Sequence, residues 1–383
     1  MTDRLYYQDS YLIEFQARVV DASPDRLRIY LDRTAFYPTS GGQPFDIGQL
    51  GGCAVTEVVD EQERIAHVLA TPLEADSAAG VIDWRRRFDH MQQHTGQHLL
   101  SAVLVELFQA PTVSFHLGAE SCTIDVAGAL DARQLRRAER RTNEIVFENR
   151  PVTLSYQHSS NDLGLRKPSE REGMLRIVTI HDLDRSACGG THVRATGEIG
   201  PILIRKLDRI RGNQRIEFLC GLRAVDRASQ DFETLSAIGR AFSAPLDETP
   251  ALVEAQREKL KEADRARRRM ATELAEAQGR MHYQDTAPGA DGIRRALRRV
   301  ASLTDDLRSE AQSFTAGERS VFLALAEDPP AILLATSKDS GLHAGDWVKG
   351  ALSKAGGRGG GNATLAQGSL PSKALLDDLA LPW

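Results

Sequence analysis

Polar and apolar positions alternate through the first part of the chain as they do in half-buried strands. Phe15-Gln-Ala-Arg-Val-Val and Arg26-Leu-Arg-Ile-Tyr-Leu predict two strands, with Ser23-Pro24-Asp25 as the turn between them. The stretch from Ile47 to Val59 predicts a further hairpin. Between them, Tyr37-Pro-Thr-Ser-Gly-Gly-Gln-Pro44 cannot be the interior of a strand, because its prolines lack donors and its glycines resist ordering. Several short strands with glycine turns over residues 11–85 predict a small barrel.

The period changes near Asp83. His94, His98, Leu99, Val103 and Leu107 recur at helical spacing and predict a helix over 89–108, stopped by Pro111. A strand is predicted at Cys122–Val126, and a second helix over 131–148 with Arg133, Arg136, Arg137 and Arg140 on its outer face. Further strands are predicted at Val152–Tyr156, Leu175–Thr179, Ile199–Lys206 and Arg215–Leu219. Helices interleaved with strands in this order predict an α+β two-layer domain. Residues 250–282 are charged and helical. Leu260, Ala263, Met270, Leu274, Ala277 and Met281 follow three- and four-residue steps that Arg267 interrupts, so a coiled-coil-like arm is expected. Val321–Ala326 and Ala331–Ala335 are short apolar runs typical of buried strands, followed by a helix over Lys349–Ala355 and a glycine loop over Gly356–Gly361.

A chain of 383 residues is too long for one ordinary domain. It has no apolar run of membrane-spanning length and no signal-peptide core at its polar start, so a cytoplasmic protein without a membrane partner is expected. Cys53, Cys122, Cys188 and Cys220 are widely separated, which suits free thiols rather than a disulfide framework. The net charge of −5 means that nucleic-acid binding must rest on local patches. Trp84-Arg-Arg-Arg87 sets a ring beside three cations, and Arg205, Lys206, Arg209, Arg211 and Arg215 form a second basic stretch.

The strongest chemistry lies in His94-Thr-Gly-Gln-His98 and Cys188-Gly-Gly-Thr-His192. Two histidines at i and i+4 share one helical face, and a Cys and a His four apart around two glycines can wrap an ion from a loop. Three imidazoles and one thiolate favour zinc over harder ions, so one Zn2+ per chain is expected on His94, His98, Cys188 and His192. His90, one turn earlier, is a rival ligand. Four protein ligands usually make a closed structural site, so the zinc is either structural, or catalytic with one loose or added position, or a device that positions substrate.

These residues resemble a known family. Arg33 to Gly48, with its Ser-Gly-Gly-Gln core, resembles the glycine-rich motif of alanyl-tRNA synthetase editing regions. His94 to Leu100 resembles their first zinc motif; Ser186 to Val193, followed by Thr196-Gly-Glu-Ile-Gly200, resembles the second. Gly356 to Gly368 resembles the end of their DHHA1-type domain, although Gly361-Asn-Ala-Thr and Gln367-Gly-Ser depart from its usual basic, proline and longer glycine positions. The motifs arrive in the family's order without an aminoacylation domain, which resembles the long form of the free-standing alanyl-tRNA editing proteins, the AlaX group.

The resemblance implies a β-barrel module over 1–88, a zinc editing domain over 89–225, an arm over 245–285 and a DHHA1-like α/β domain over 290–383. It implies hydrolysis of serine, with glycine left open, from alanine tRNA. Gln43 is expected to reach the site as a catalytic residue, orienting water or the ester, with Gly41 and Gly42 against the substrate. Thr112 or Ser114 is expected to bond the serine hydroxyl; helix-stop and turn chemistry after Pro111 explains them nearly as well. Arg205, Lys206, Arg209 and Arg358 are expected tRNA contacts, and the arm suggests a homodimer. The rival readings are a hydrolase for another aminoacyl-tRNA and a zinc-stabilised tRNA-binding module without catalysis. The terminal glycine loop lacks a Gly-Lys-Ser/Thr ending, so no nucleoside triphosphatase is expected.

Overall fold

The alternating segments near the start of the chain curl into a closed barrel. In the computed structural model, which describes residues 1–159, 162–170, 172–210 and 212–383, the chain forms two units, Met1–Ala237 and Ile238–Trp383. The first begins with β1 (Asp3–Arg4), β2 (Glu14–Ala22), β3 (Arg28–Leu31), β4 (Arg33–Thr34), β5 (Gly48–Leu50), β6 (Cys53–Glu61), β7 (Arg64–Leu69) and β8 (Ser77–Ile82). Six of these close the barrel in the order β2-β3-β7-β6-β5-β8, while β1 pairs in parallel with β4. Phe15, Ile29, Leu31, Phe36, Leu50 and Ile65 fill its interior. Strand β3 starts two residues later than its pattern predicts, because Arg26 sits in the turn at φ 53°.

Helix α1 (Trp84–Phe108) starts ahead of the predicted residue 89. Asp83 caps it, accepting from the Arg86 N–H at 3.0 Å, so the arginine run is its first turn. Every residue from His90 to Leu104 is buried, so α1 is a central helix rather than an amphipathic surface one. Around it lie β9 (Thr112–Leu117), β10 (Cys122–Val126), α2 (Ala132–Glu148), β11 (Val152–His158), β12 (Met174–Ile180), β13 (Asp184–Ala187), β14 (Ile202–Ile210) and β15 (Asn213–Cys220). They form a β14-β15-β10-β9 sheet and a β11-β12-β13 sheet, and α1 touches both. Strand β14 begins at Ile202 rather than at the predicted 199, because Thr196–Ile199 is a 3-10 turn.

A buried ion pair ties α1 to the barrel. Arg87 is fully buried; its guanidinium binds the Asp46 carboxylate and donates to the Ser10 and Ala35 carbonyls. Asp46 also accepts from the Tyr37 N–H at 2.6 Å. The loop from Tyr37 to Asp46 is therefore pinned at both ends, and the Ser40–Gln43 turn inside it closes with two backbone bonds.

Helix α3 (Gly221–Phe242) crosses the unit boundary. The second unit contains α4 (Thr249–Asp285), β16 (Arg294–Val300), α5 (Asp305–Phe314), β17 (Ser320–Glu327), β18 (Pro330–Thr336), α6 (Ala344–Ala355), β19 (Arg358–Gly361) and β20 (Leu365–Ser369). Its sheet runs β16-β17-β18-β20-β19, with β16 and β17 parallel and the other pairs antiparallel. The later half of α4 packs on α5, where Ser313 donates to the Glu276 carbonyl at 2.6 Å. Two local expectations change: α6 starts at Ala344, capped by His343, and Arg358–Gly361 of the predicted glycine loop is strand β19. The whole chain is a mixed α and β protein.

Candidate metal centre

Helix α1 places His94 and His98 one turn apart, and the loop leaving β13 places Cys188 and His192 against them. One donor atom from each lies within 4.8 Å of all the others. The Cys188 Sγ is 3.4 Å from His94 Nε2 and 3.3 Å from His192 Nε2. The loop approaches this closely because residue 190 is glycine: a Cβ there would lie 2.1 Å from the His94 ring. His90 lies outside the cluster, buried, with its Nδ1 unpartnered. Burial first, then Arg86 and Arg223, push it down to about 3.

Each imidazole is held from behind. The His94 Nδ1 lies 2.8 Å from the Gln43 Oε1, which also accepts the Thr191 N–H at 3.1 Å. The Gln43 Nε2 in turn donates to the Thr191 hydroxyl at 2.7 Å. The His192 Nδ1 lies 3.1 Å from the Thr95 hydroxyl, and the His98 Nδ1 lies 3.3 Å from Asp184 Oδ2. With all three Nδ1 atoms engaged, the Nε2 atoms are left for the centre. Arg176 braces the loop, donating to the Cys188 and Gly190 carbonyls at 2.8 Å each.

The electrostatics follow this geometry. Burial alone would raise the Cys188 thiol, but His94 and His192 beside it pull it well below its ordinary value. Burial drives His192 down to about 3. Burial also opposes charge on His98, yet bonds to Asp184 and Cys188 overcome it and raise this group to about 9. The cluster is thus disposed to hold a thiolate. Tetrahedral zinc, with bonds near 2.3 Å to sulfur and 2.0–2.1 Å to nitrogen, requires S···N separations of about 3.5 Å. The observed separations and the soft donor set fit such an ion, and these four residues could hold it.

The other predicted site residues divide. Gln43 reaches the cluster but is fully buried, and its amide is engaged by Thr191 and His94 rather than aimed at open space. Gly41 and Gly42 are exposed at φ 54° and 83°, and a Cβ on Gly42 would lie 2.7 Å from the Phe115 ring. Phe115, which the sequence reading missed, stands 5.9 Å from the His94 ring. Alternation from Phe115 turns Ser114 to the opposite face, where it donates to Asp125, and a bulge at Val113 separates it from Thr112. Thr112 faces α1 and donates to Ser101 at 2.7 Å. Thr95, Thr191 and Asp184 were also missed, although two of them lie inside the quoted motifs and Asp184 is four residues before Cys188.

The basic residues are less available than their sequence suggests. Arg87 is structural, and Trp84 packs its ring on Tyr11 and Phe88. Arg205 pairs with Asp231, Lys206 with Asp208, and Arg215 with Asp125. Arg209 and Arg358 are exposed and have no carboxylate partner among the described residues. Arg211 lies outside the described residues.

Residues 175–217, which include Cys188 and His192, match the family model described as the threonyl and alanyl tRNA synthetase second additional domain. An alanyl-tRNA editing protein AlaX-L from Pyrococcus horikoshii is 30% identical over 97% of this chain and 96% of its own length. An alanine–tRNA ligase from Pyrococcus abyssi is 32% identical over 96% of this chain, which spans only 42% of that ligase. A solved C-Ala domain from Aquifex aeolicus alanyl-tRNA synthetase aligns with 24% of this chain and 95% of that chain, at 20% identity and a TM-score of 0.20, too low for an argument about fold.

Proposed function

The chain belongs to the AlaX group of alanyl-tRNA editing proteins, and from that premise we propose that it hydrolyses mischarged alanine tRNA at the His94–His98–Cys188–His192 cluster, removing serine. The observation that supports this most is the convergence of four buried or half-buried donors whose three imidazoles are each fixed from behind.

In the reaction, water adds to the ester carbonyl and the bond to the terminal ribose oxygen breaks, releasing the amino acid and leaving the ribose hydroxyl on the tRNA. A zinc ion, if bound, would be held by His94, His98, Cys188 and His192 and would supply Lewis-acid chemistry to the carbonyl or to water. Gln43, expected to orient water or the ester, is proposed to act as a positioning residue that holds His94 in one tautomer. The histidines are buried and Cys188 is half-buried, so substrate approaches from the Cys188 side. Gly42 and Phe115 form a wall beside His94. Thr112 remains the candidate for the serine hydroxyl, and Ser114 is set aside because it faces away.

The selectivity has a physical basis. A pocket built for alanine rejects serine poorly, because serine merely adds a hydroxyl. A hydrolytic site with polar groups aimed at that hydroxyl leaves them unpaired when alanine binds, so alanine is spared. Glycine also lacks that hydroxyl, so its removal would need a basis other than this contact. For the tRNA itself, Arg209 and Arg358 are the proposed contacts, since both are exposed and have no carboxylate partner among the described residues. The four-part division at 1–88, 89–225, 245–285 and 290–383 is retained as the functional partition.

Four protein donors also favour a second reading, in which a closed zinc only stabilises a tRNA-binding protein. The Cys188→Ala variant separates the two. Editing predicts that hydrolysis is lost while tRNA binding, measured by filter retention, survives. A variant that still hydrolyses at the wild-type rate counts against the cluster as the site of chemistry.

A further inference from the structure

The three imidazoles of the cluster are not backed alike. His94 rests on a neutral amide and His192 on a neutral hydroxyl, but His98 rests on a carboxylate whose side chain is 1% exposed. That carboxylate is shared. Its Oδ2 faces His98 and accepts the Ser186 hydroxyl at 2.9 Å, while its Oδ1 takes the Arg166 Nε–H at 2.7 Å. Arg166 also donates to the Ser186 hydroxyl at 3.2 Å, and its backbone N–H bonds the Arg185 carbonyl. Leu163 and Leu165 beside it pack on Leu175 and Ile177, which anchors this short strap to the sheet.

We propose that Asp184 is a positioning residue that acts through His98, and that Arg166 sets how strongly it does so. A carboxylate accepting from Nδ1–H fixes the ring and enriches its other nitrogen, which strengthens that nitrogen as a donor to a cation. The Arg166 guanidinium draws on the same carboxylate and places a positive charge behind the cluster, so it works in the opposite direction. The two residues of one ion pair therefore influence the cluster with opposite sign. A merely structural brace behaves differently: cutting it from either side damages the site alike.

This inference rests on the metal reading above, and its test separates the two. Zinc affinity is measured on the full-length protein by competition with a chromophoric chelator, with the melting temperature of the zinc-free protein as a control. Asp184→Asn is expected to weaken zinc binding roughly 10- to 100-fold. Arg166→Met, which keeps the apolar stem, is expected to bind zinc at least as tightly as the wild type. Wild-type affinity in Asp184→Asn, or equal weakening in both variants, overturns the inference while leaving the metal reading intact. Wild-type protein that binds no zinc overturns the metal reading itself. Should Asp184→Asn fail to fold, a long-range proton–nitrogen correlation spectrum of the zinc-loaded wild type decides the matter. His98 protonated on Nδ1, with a downfield proton, supports the inference; His98 unprotonated there refutes it.

Discussion

At the scale of single residues, the four donors were legible because two chemically specific spacings survive without knowledge of the fold. What lies behind them was not, since second contacts come from distant parts of the chain. Gln43 and Thr191 are 148 residues apart, and Thr95 and His192 are 97 apart. Replacing Gln43 with Ala removes the acceptor behind His94, so zinc affinity should fall about 10- to 100-fold in chelator competition. An unchanged affinity would mean that Gln43 does not act through the ligand. The buried Arg87 was misread for the same reason: a run of arginines beside a tryptophan looks like a nucleic-acid patch until Asp46 is brought to it. Arg87→Met leaves the Asp46 carboxylate buried without its partner, which should cost about 3–5 kcal/mol in urea unfolding. A loss below about 1 kcal/mol would show that the pair contributes little to joining α1 and the barrel.

At the scale of elements, strands with clear alternation were read to within a few residues, as at β10, and α2 with its capping box was read to within one, whereas α1 and α6 were each read five residues late and α5 was not read. The misses have physical causes. The glycines of β19 have no side chains to display a period, yet their backbone pairs with β20. Strand β9 follows a proline and opens with residues typical of turns, so its pairing with β10 had to be seen. The barrel carries a pH dependence of its own. His67 on β7 is fully buried between the Thr34 hydroxyl and the Ile29 carbonyl. Burial pushes it from an ordinary value of 6.5 down to about 4. Between those values the unfolded chain binds a proton that the folded barrel does not. The stability linked to His67 is therefore present in full above about pH 6.5 and falls as the pH drops toward 4, by about 3 kcal/mol at most. Denaturant titrations across this range should show a shallower acid loss for His67→Gln than for the wild type. Parallel curves would remove His67 as the cause.

At the scale of the whole molecule, the sequence indicated barrel-like, α+β and α/β segments, and the chain is a mixed α and β protein in two units. No helix among the described residues is long and apolar enough to cross a membrane. Helix α4 spans most of the residues of the expected arm, and Val253, Leu260, Leu274 and Met281 are exposed on it at seven-residue steps, with Arg267 at the interrupted step. That stripe is the basis for the proposed homodimer. Sedimentation equilibrium should give twice the chain mass, and Leu260→Lys with Leu274→Lys should return it to one; a wild-type monomer at all concentrations removes the proposal. The central claim is that the cluster performs selective editing, and the most direct measurement is deacylation of alanine tRNA charged with serine or alanine, with and without a zinc chelator. Selective editing at the cluster predicts rapid loss of serine, survival of alanine, and suppression of the serine reaction by the chelator. A folded, zinc-loaded protein that releases neither amino acid, or both equally, would contradict it.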